Sequence, residues 1–370
     1  LRVLQICHSY YAPFLDCARQ YAALFKDTQY KVLTVYLTGD ANEQVAADTA
    51  CDEVIFLGYK SAQVRGLKLN AISKIRKIVA KENFAFCIAH RAKPTYVALL
   101  ATKLPVISIH HNYNDFGRMS RRLMVNIFKS RLLLLGVSDS VRDDMRRQLK
   151  SWPQEKIQTL YNHIDVEVMQ SSLLNRVEAR RFLNISDNAW VFSNVGRLHH
   201  DKDQANLIRG FHLAAPNLPV NSILMIIGSG PLETSLKALV KKLHLEDKVI
   251  FTGKVLDAKR YFKAFDVFVL TSDHEPFGMV LLEAMSAGLP LICSDCGGGA
   301  EVVKNVGALF KQGDDESLSK ALIEMCRQDQ TNLTVRLNDE LNERFSDEAV
   351  KSIFWDFSFV NDSITATHQN

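Results

Sequence analysis

The sequence predicts an α/β protein built from two tandem doubly wound domains, and two features of the chain carry that expectation. Short apolar runs recur with amphipathic segments between them, the pattern of parallel strands covered on both faces by helices. The alternation lapses over residues 166–188, a polar and helical stretch read as a linker, and then resumes. With 370 residues there is enough chain for a core in each half. The domains are therefore drawn as 1–170 and 171–345, with a C-terminal helix at 346–370 packed on one or both of them.

In the first half, strands are expected at 3–7, 32–36, 54–57, 84–89, 106–109, 132–137 and 157–161. The first runs into His8-Ser9-Tyr10-Tyr11-Ala12-Pro13, which contains no glycine, so the dinucleotide fingerprint of a nicotinamide enzyme is missing where it would be needed. The strand at 106–109 runs into His110 and His111. One of them should reach the carboxyl edge of the sheet, where such folds bind ligands. His110 is preferred because it continues the strand, although a single histidine is also commonly a satisfied structural one. Residues 117–131 read as a helix in which Arg118, Arg121 and Arg122 alternate with Met, Leu, Ile and Phe. Such a helix either meets an anionic bilayer or a phosphorylated acceptor, or packs its apolar side on its own domain. Residues 161–165 close this half in a turn.

In the second half, strands are expected at 190–195, 223–227, 249–251, 267–270 and 289–293. Gly196, Arg197 and Lys202 surround the turn after the first of these, with a helix starting near Asp203. A glycine admits a close ligand and two cations oppose the charge of a diphosphate. Gly228-Ser229-Gly230-Pro231 follows the next strand, and Glu233 stands where a third glycine would belong, so a tight turn is the safer description.

The stretch from 272 to 303 organises the chain: a polar loop, a helix, an apolar strand and a glycine loop. Glu275 lies in the loop and Glu283 about one and a half turns into the helix, and both are expected to look into one cleft. Two acceptor-only carboxylates suit a hydroxyl-rich ligand such as a sugar nucleotide, at about 1.5–3 kcal/mol for each charge-assisted hydrogen bond. Taken singly, Glu275 is also an ordinary helix-start acid and Glu283 a solvated surface residue. Gly278 lets the backbone approach a ligand, and the helix start attracts anionic groups. Gly297, Gly298 and Gly299 are expected to form a loop with accessible N–H groups.

Composition narrows the class. A chain 47% hydrophobic and 23% charged is ordinary for a globular protein. Its longest apolar reach, 96–109, is broken by Lys103 and Pro105 and resembles no spanning helix. Because it opens directly on a strand, a cytoplasmic protein is expected, soluble or peripheral on the inner membrane. The seven scattered cysteines suit reduced thiols, and Cys293-x-x-Cys296 lacks a second pair for zinc or redox work. Net charge divides unevenly: 24 basic against 15 acidic residues over 1–170 (+9), and 21 against 26 over the rest (−5). The first half should therefore meet an anionic acceptor or membrane surface, and no nucleic-acid partner is expected.

Glu-Pro-Phe-Gly at 275–278, the second glutamate at 283, Val-Gly-Arg at 195–197 with Lys202, and Gly-Ser-Gly-Pro at 228–231 together resemble the family-4 retaining glycosyltransferases of GT-B fold. The resemblance implies two Rossmann-like domains facing a cleft, acceptor on the N-terminal side and nucleotide-sugar on the C-terminal side. It implies that Glu283 holds the ribose hydroxyls, that Arg197 and Lys202 meet the diphosphate at the Gly196 turn, and that Gly228 belongs to the donor-binding set. Glu275, with the N–H groups of Phe277, Gly278 and Met279, would grip the donor sugar and its phosphate. His110 would contact the donor sugar near the reacting carbon, and the base would lie near Lys254 and Val255. No metal or other cofactor is implied, because the two cations and the helix start can stabilise the leaving diphosphate. Where the family commonly shows a Gly-Gly loop, this chain has Phe14-Leu15-Asp16-Cys17-Ala18-Arg19.

The expected activity is transfer of a hexosyl or N-acetylhexosaminyl group from a UDP-sugar, or a GDP-sugar, to a glycan or lipid-linked cell-envelope acceptor such as lipopolysaccharide core. A non-catalytic sugar-nucleotide-binding partner subunit on the same fold is the alternative, which the altered first loop favours and the intact glutamates, arginine and lysine oppose.

Overall fold

Each apolar run becomes a strand because both of its faces are covered. The computed structural model describes residues 1–11 and 13–368. Contacts divide the chain into two units: Leu1–Asn162 together with the segment from Asp347 onward, and His163–Ser346.

In the first unit, β1 (Arg2–Cys7), β2 (Lys31–Thr38), β3 (Glu53–Tyr59), β4 (Phe84–His90), β5 (Val106–His110), β6 (Leu132–Gly136) and β7 (Ile157–Thr159) form one parallel sheet in the order β3-β2-β1-β4-β5-β6-β7. Every residue of β4, β5 and β6 is buried, as expected for central parallel strands. The polar exceptions are paired: the Gln5 amide donates to the Ala18 carbonyl and to Thr34, each at 3.0 Å. The helix expected at 117–131 is shorter, Met119–Ile127, with a single tight turn at Lys129–Arg131.

The C-terminal segment is two helices, Asp347–Asp356 and Ser358–His368, and it belongs to this first unit. Phe354 is buried with its ring 5.6 Å from Phe25, and Trp355 Nε1 donates to the Leu24 carbonyl at 3.0 Å.

In the second unit, β8 (Trp190–Val195), β9 (Ser222–Ile227), β10 (Val249–Gly253), β11 (Val267–Leu270), β12 (Leu291–Ser294) and β13 (Ala308–Phe310) form a parallel sheet in the order β10-β9-β8-β11-β12-β13. β12 starts at Leu291 rather than 289 because Pro290 has no N–H to give a ladder. β13 is three residues long, too short to show a period, and was not anticipated.

Residues 166–188 are not a free linker. They hold the helices Val166–Ser172 and Arg176–Phe182, and the second is fastened from below by Arg180. That guanidinium is 2% exposed and donates to the carbonyls of Ala264, Ser186, Asp187 and Ala189 and to the Asp266 carboxylate. A residue that reads as surface charge is thus the unit's internal clamp. The unit begins at His163, eight residues before the break drawn from the sequence, because both of these helices lie within it. Among the described residues, no helix is long and apolar enough to cross a membrane.

Arg180→Leu withdraws a donor from four carbonyls and from Asp266. It is expected to lower stability by about 3–5 kcal/mol, the cost of breaking a buried ion pair, seen as a lower midpoint of urea unfolding; an unmoved midpoint would deny the clamp.

Candidate active site

Both sheets reverse direction once, and in the second unit the reversal lies between β8 and β11. Loops leaving the carboxyl ends of two such strands part from one another, which makes that edge a binding place in open α/β sheets. Here the two loops are tied together. Thr271 Oγ1 donates to the Lys202 carbonyl at 2.9 Å, and the Asp273 N–H donates to the Asp201 carbonyl at 3.1 Å. Asp203 sits in the left-handed region at φ 42° and caps the helix Gln204–Ala214 by accepting from the Asn206 N–H. That turn aims Lys202 back across the edge. Its ammonium lies 2.6 Å from Glu275 and 3.4 Å from the Ser272 hydroxyl, which itself donates to Glu275 at 3.2 Å. Glu275 is 7% exposed, so this is a sheltered ion pair. An ammonium has three N–H donors, and these contacts take two of them.

Arg197 differs: its side chain is 73% exposed, with Asp201 as ion-pair partner at 3.4 Å. Burial alone would raise the Asp201 pKa, but the bond from His199 and the charges of Lys202 and Arg197 outweigh it and hold the carboxyl below its usual value. Asp201 therefore stays ionised and keeps Arg197 near the edge. Glu283 is half-buried, the fifth residue of the helix Met279–Ser286. Gly278, at φ 90°, is that helix's N-cap and brings no capping side chain. Phe277 is buried edge-on against Phe345 at 5.9 Å. Lys254 is exposed and Val255 half-buried just beyond β10, and the Gly228 N–H donates to the Gly253 carbonyl at 2.9 Å, placing their loop beside the Gly228 turn.

The glycines divide by role. A Cβ on Gly228, whose φ is 143°, would stand 1.9 Å from the Gly196 carbonyl oxygen, and one on Gly230 2.3 Å from that of Leu198. Both are demanded by the crossing of the two turns. Among the described residues a Cβ on Gly196 would meet nothing within 4 Å, so packing does not require that glycine. Gly297–Gly299 do not form a loop; they are the first turn of the helix Gly297–Val303. A Cβ on Gly298 would lie 2.2 Å from the Pro276 carbonyl oxygen, and its N–H donates to the Glu275 carbonyl at 2.8 Å. The absence of side chains there lets this helix press on the Glu275 loop rather than leaving amides exposed. Cys293 and Cys296 are free thiols, and Cys296 donates to the Ser272 carbonyl at 2.9 Å.

In the first unit, His110 is 1% exposed, with Nδ1 2.7 Å from Asp115 and Nε2 3.0 Å from the Ser108 hydroxyl. Those partners place the ring proton on Nδ1. The Asp115 pKa would be raised by burial, yet the His110 bond and the charges of His110, Arg121 and Arg91 carry it below its usual value. Arg121 is turned onto Asp115, at 3.2 Å from the carboxylate and 2.8 Å from the carbonyl. Arg118 is exposed and Arg122 half-buried. His111 lies 3.3 Å from His90 and 3.7 Å from the Cys17 sulfur, and burial followed by its charged neighbours pushes its pKa well down. Sequence reasoning missed Ser272, Thr271, Asp201 and Asp115. Asp115, five residues past His110, was the one with a visible signal: an acid within a loop's reach of a strand-end histidine.

Residues 175–351 match a family described as Glycosyl transferases group 1, and residues 17–168 match Glycosyltransferase Family 4. The chain belongs to this glycosyltransferase family. The transferase is 26% identical over 314 residues to N-acetyl-alpha-D-glucosaminyl L-malate synthase of Bacillus anthracis, covering 81% of each chain. It is 27% identical over 270 residues to the Escherichia coli UDP-Gal:alpha-D-GlcNAc-diphosphoundecaprenol alpha-1,3-galactosyltransferase, covering 69% of this chain and 70% of that one. Its fold matches Anabaena HepE, solved in complex with UDP, at a TM-score of 0.79 and 19% identity over 96% of this chain and 98% of that one. The two Rossmann-like domains are those of the GT-B fold.

The two kinds of glycine separate in a melting experiment. Gly228→Ala is expected to destabilise the transferase by more than about 1 kcal/mol through backbone collision and strain, whereas Gly196→Ala should melt with the parent; equal losses would refute the distinction.

Proposed function

We propose that this transferase moves a hexosyl or N-acetylhexosaminyl group from a nucleotide-diphosphate sugar to a glycan or lipid-linked acceptor of the cell envelope, with retention of configuration and without a metal ion. The observation that carries the proposal is the sheltered Lys202–Glu275 pair beside exposed Arg197 at the β8–β11 reversal. Breaking a sugar–phosphate bond leaves growing negative charge on the diphosphate. A lysine whose ammonium is already fixed by Glu275 and Ser272 meets that charge with its remaining donor and without reorganising, while Arg197 adds a bidentate guanidinium. Gly196, which packing leaves unconstrained, is where the diphosphate comes against backbone. Glu283 takes the ribose hydroxyls, and Lys254 and Val255 flank the base. Glu275 completes the catalytic set of the second unit; in the first unit His110, its ring orientation fixed by Asp115, is the candidate contact for the donor sugar.

A UDP-sugar is favoured as donor. The reading is supported by the E. coli relative, named for a UDP-Gal donor and a diphosphoundecaprenol acceptor, and by the UDP complex of HepE. Lipopolysaccharide core is one envelope acceptor that fits, and the place of work is cytoplasmic, at the inner face of the membrane. The helix Met119–Ile127 supports a peripheral contact. Met119, Leu123 and Ile127, four residues apart, are 77%, 61% and 65% exposed on one face, with Arg118 and Arg122 beside them. An apolar stripe edged by arginines suits an anionic bilayer.

Lys202→Ala and Glu275→Ala should each lower turnover of a UDP-sugar by about 10²–10³, the scale of one lost transition-state donor, with circular dichroism unchanged, while the parent should turn over equally with and without EDTA. Parental turnover in both variants would sink the assignment. For the bilayer contact, replacing Leu123 and Ile127 with Ser should reduce co-sedimentation with phosphatidylglycerol vesicles, and undiminished binding would remove it.

A further inference from the structure

The first sheet has a reversal of its own. β2 and β3 follow on one side of β1, and β4 to β7 on the other, so the loops leaving β1 and β4 part at their carboxyl ends. In the second unit the equivalent edge carries Lys202 and Arg197. Here the loop after β1 opens with His8, and β4 leads directly into Arg91 and Lys93.

Arg91 is held in a conformation that arginine does not choose. Its φ is 74° and ψ 170°, a region occupied essentially by glycine and strained for any residue with a side chain. Its N–H donates to the Ile109 carbonyl at 2.8 Å, its guanidinium lies 4.3 Å from the centre of the Phe14 ring, and one terminal nitrogen lies 3.1 Å from the Asn112 side-chain amide, which accepts from it when the amide is turned to present its oxygen. Its Nε is buried with no hydrogen-bond partner among the described residues. A glycine at 91 would remove both the strain and the orphaned donor; the Phe14 and Asn112 contacts hold the guanidinium plane but leave Nε unused.

Its surroundings are complementary to an anion. Lys93 is exposed two residues on, and His8, whose Nδ1 is also buried with no hydrogen-bond partner among the described residues, lies within the field of both cations. Burial first, then Lys93 and Arg91, push the His8 pKa down to about 4, so its ring is neutral at pH 7 and adds hydrogen bonding without charge. The helices Phe14–Ala23 and Ala92–Ala101 start at this edge, each without a side-chain cap. The nearby carboxylate acting on Arg91, Asp115, is already committed to His110 and Arg121.

We propose that Arg91, Lys93 and His8 form an anion site at the β1–β4 reversal, and that it holds a phosphate or diphosphate group carried by the sugar acceptor. The donor's own diphosphate is assigned to Arg197 and Lys202, and the +9 charge of residues 1–170 against −5 for the remainder (24 − 15 and 21 − 26) places the surplus cations on the acceptor side. The word acceptor rests on the transferase reading; the anion site itself does not.

The test is calorimetric titration of inorganic pyrophosphate into the full chain, without UDP and with UDP in excess, for the parent, Arg91→Gly and Lys93→Ala. The parent should bind, and each variant should bind at least about tenfold more weakly, the scale of one charge-assisted hydrogen bond. Because glycine relieves the strained backbone, Arg91→Gly should melt no lower than the parent, which separates lost binding from lost folding. Undiminished pyrophosphate binding in Arg91→Gly overturns the site. If UDP displaces the Arg91-dependent pyrophosphate, the anion is the donor's and the acceptor assignment falls. If UDP does not bind while Arg91-dependent pyrophosphate binding persists, the transferase reading fails and the anion site stands.

Discussion

The second unit depends on the ion pair between Lys202 and Glu275. Each residue sits on a loop leaving one of two strands between which the chain changes direction, so neither loop has a neighbouring strand to lean on beyond the sheet edge. The 2.6 Å contact, with Ser272 beneath it and the Thr271–Lys202 and Asp273–Asp201 backbone ties around it, joins what the topology parts. Placing two charges in a half-buried position costs solvation, and the cost is offset only because each partner has further hydrogen bonds. An edge held this way keeps a cation oriented toward ligand without requiring rearrangement when charge develops.

The glycines serve the same arrangement by allowing backbone to meet backbone. Gly228 lies against Gly196 and Gly230 against Leu198, so two turns cross, and Gly298 against Pro276 lets a helix start press on the loop that carries Glu275. Side-chain chemistry selects the ligand, and the bare backbone sets how closely the loops that present it can approach. Arg91 is the counter-case. There a large cation is tolerated in a glycine conformation, and the strain marks a place where the side chain is worth more than an easy backbone.

Most of the two sheets was legible in the sequence because buried parallel strands are written as uninterrupted apolar runs, and the runs at 84–89, 132–137 and 190–195 needed little adjustment. What escaped was written in no period. β13 has three residues, and the helix Arg176–Phe182 buries an arginine that satisfies backbone carbonyls. The triple glycine suggested a loop, since glycine is a poor helix former; tertiary crowding against Pro276 overrides that propensity. In the site, Lys202, Arg197 and Glu275 were visible by residue type and position after strands. Their partners Ser272, Thr271 and Asp201 were not, because a hydroxyl or an acid in a polar loop says nothing alone about what it will face.

The C-terminal helices impose an order on assembly. Phe354 and Trp355 pack on Phe25, Phe86 and the Leu24 carbonyl, so part of the first unit's core is supplied from the far end of the chain. A ribosome reaches those residues only after the whole of His163–Ser346 has been made. The second unit, continuous in sequence, can complete itself during synthesis, whereas the first must wait with an aromatic face uncovered until the last helices emerge. In a nascent chain, the domain translated first is therefore the domain finished last.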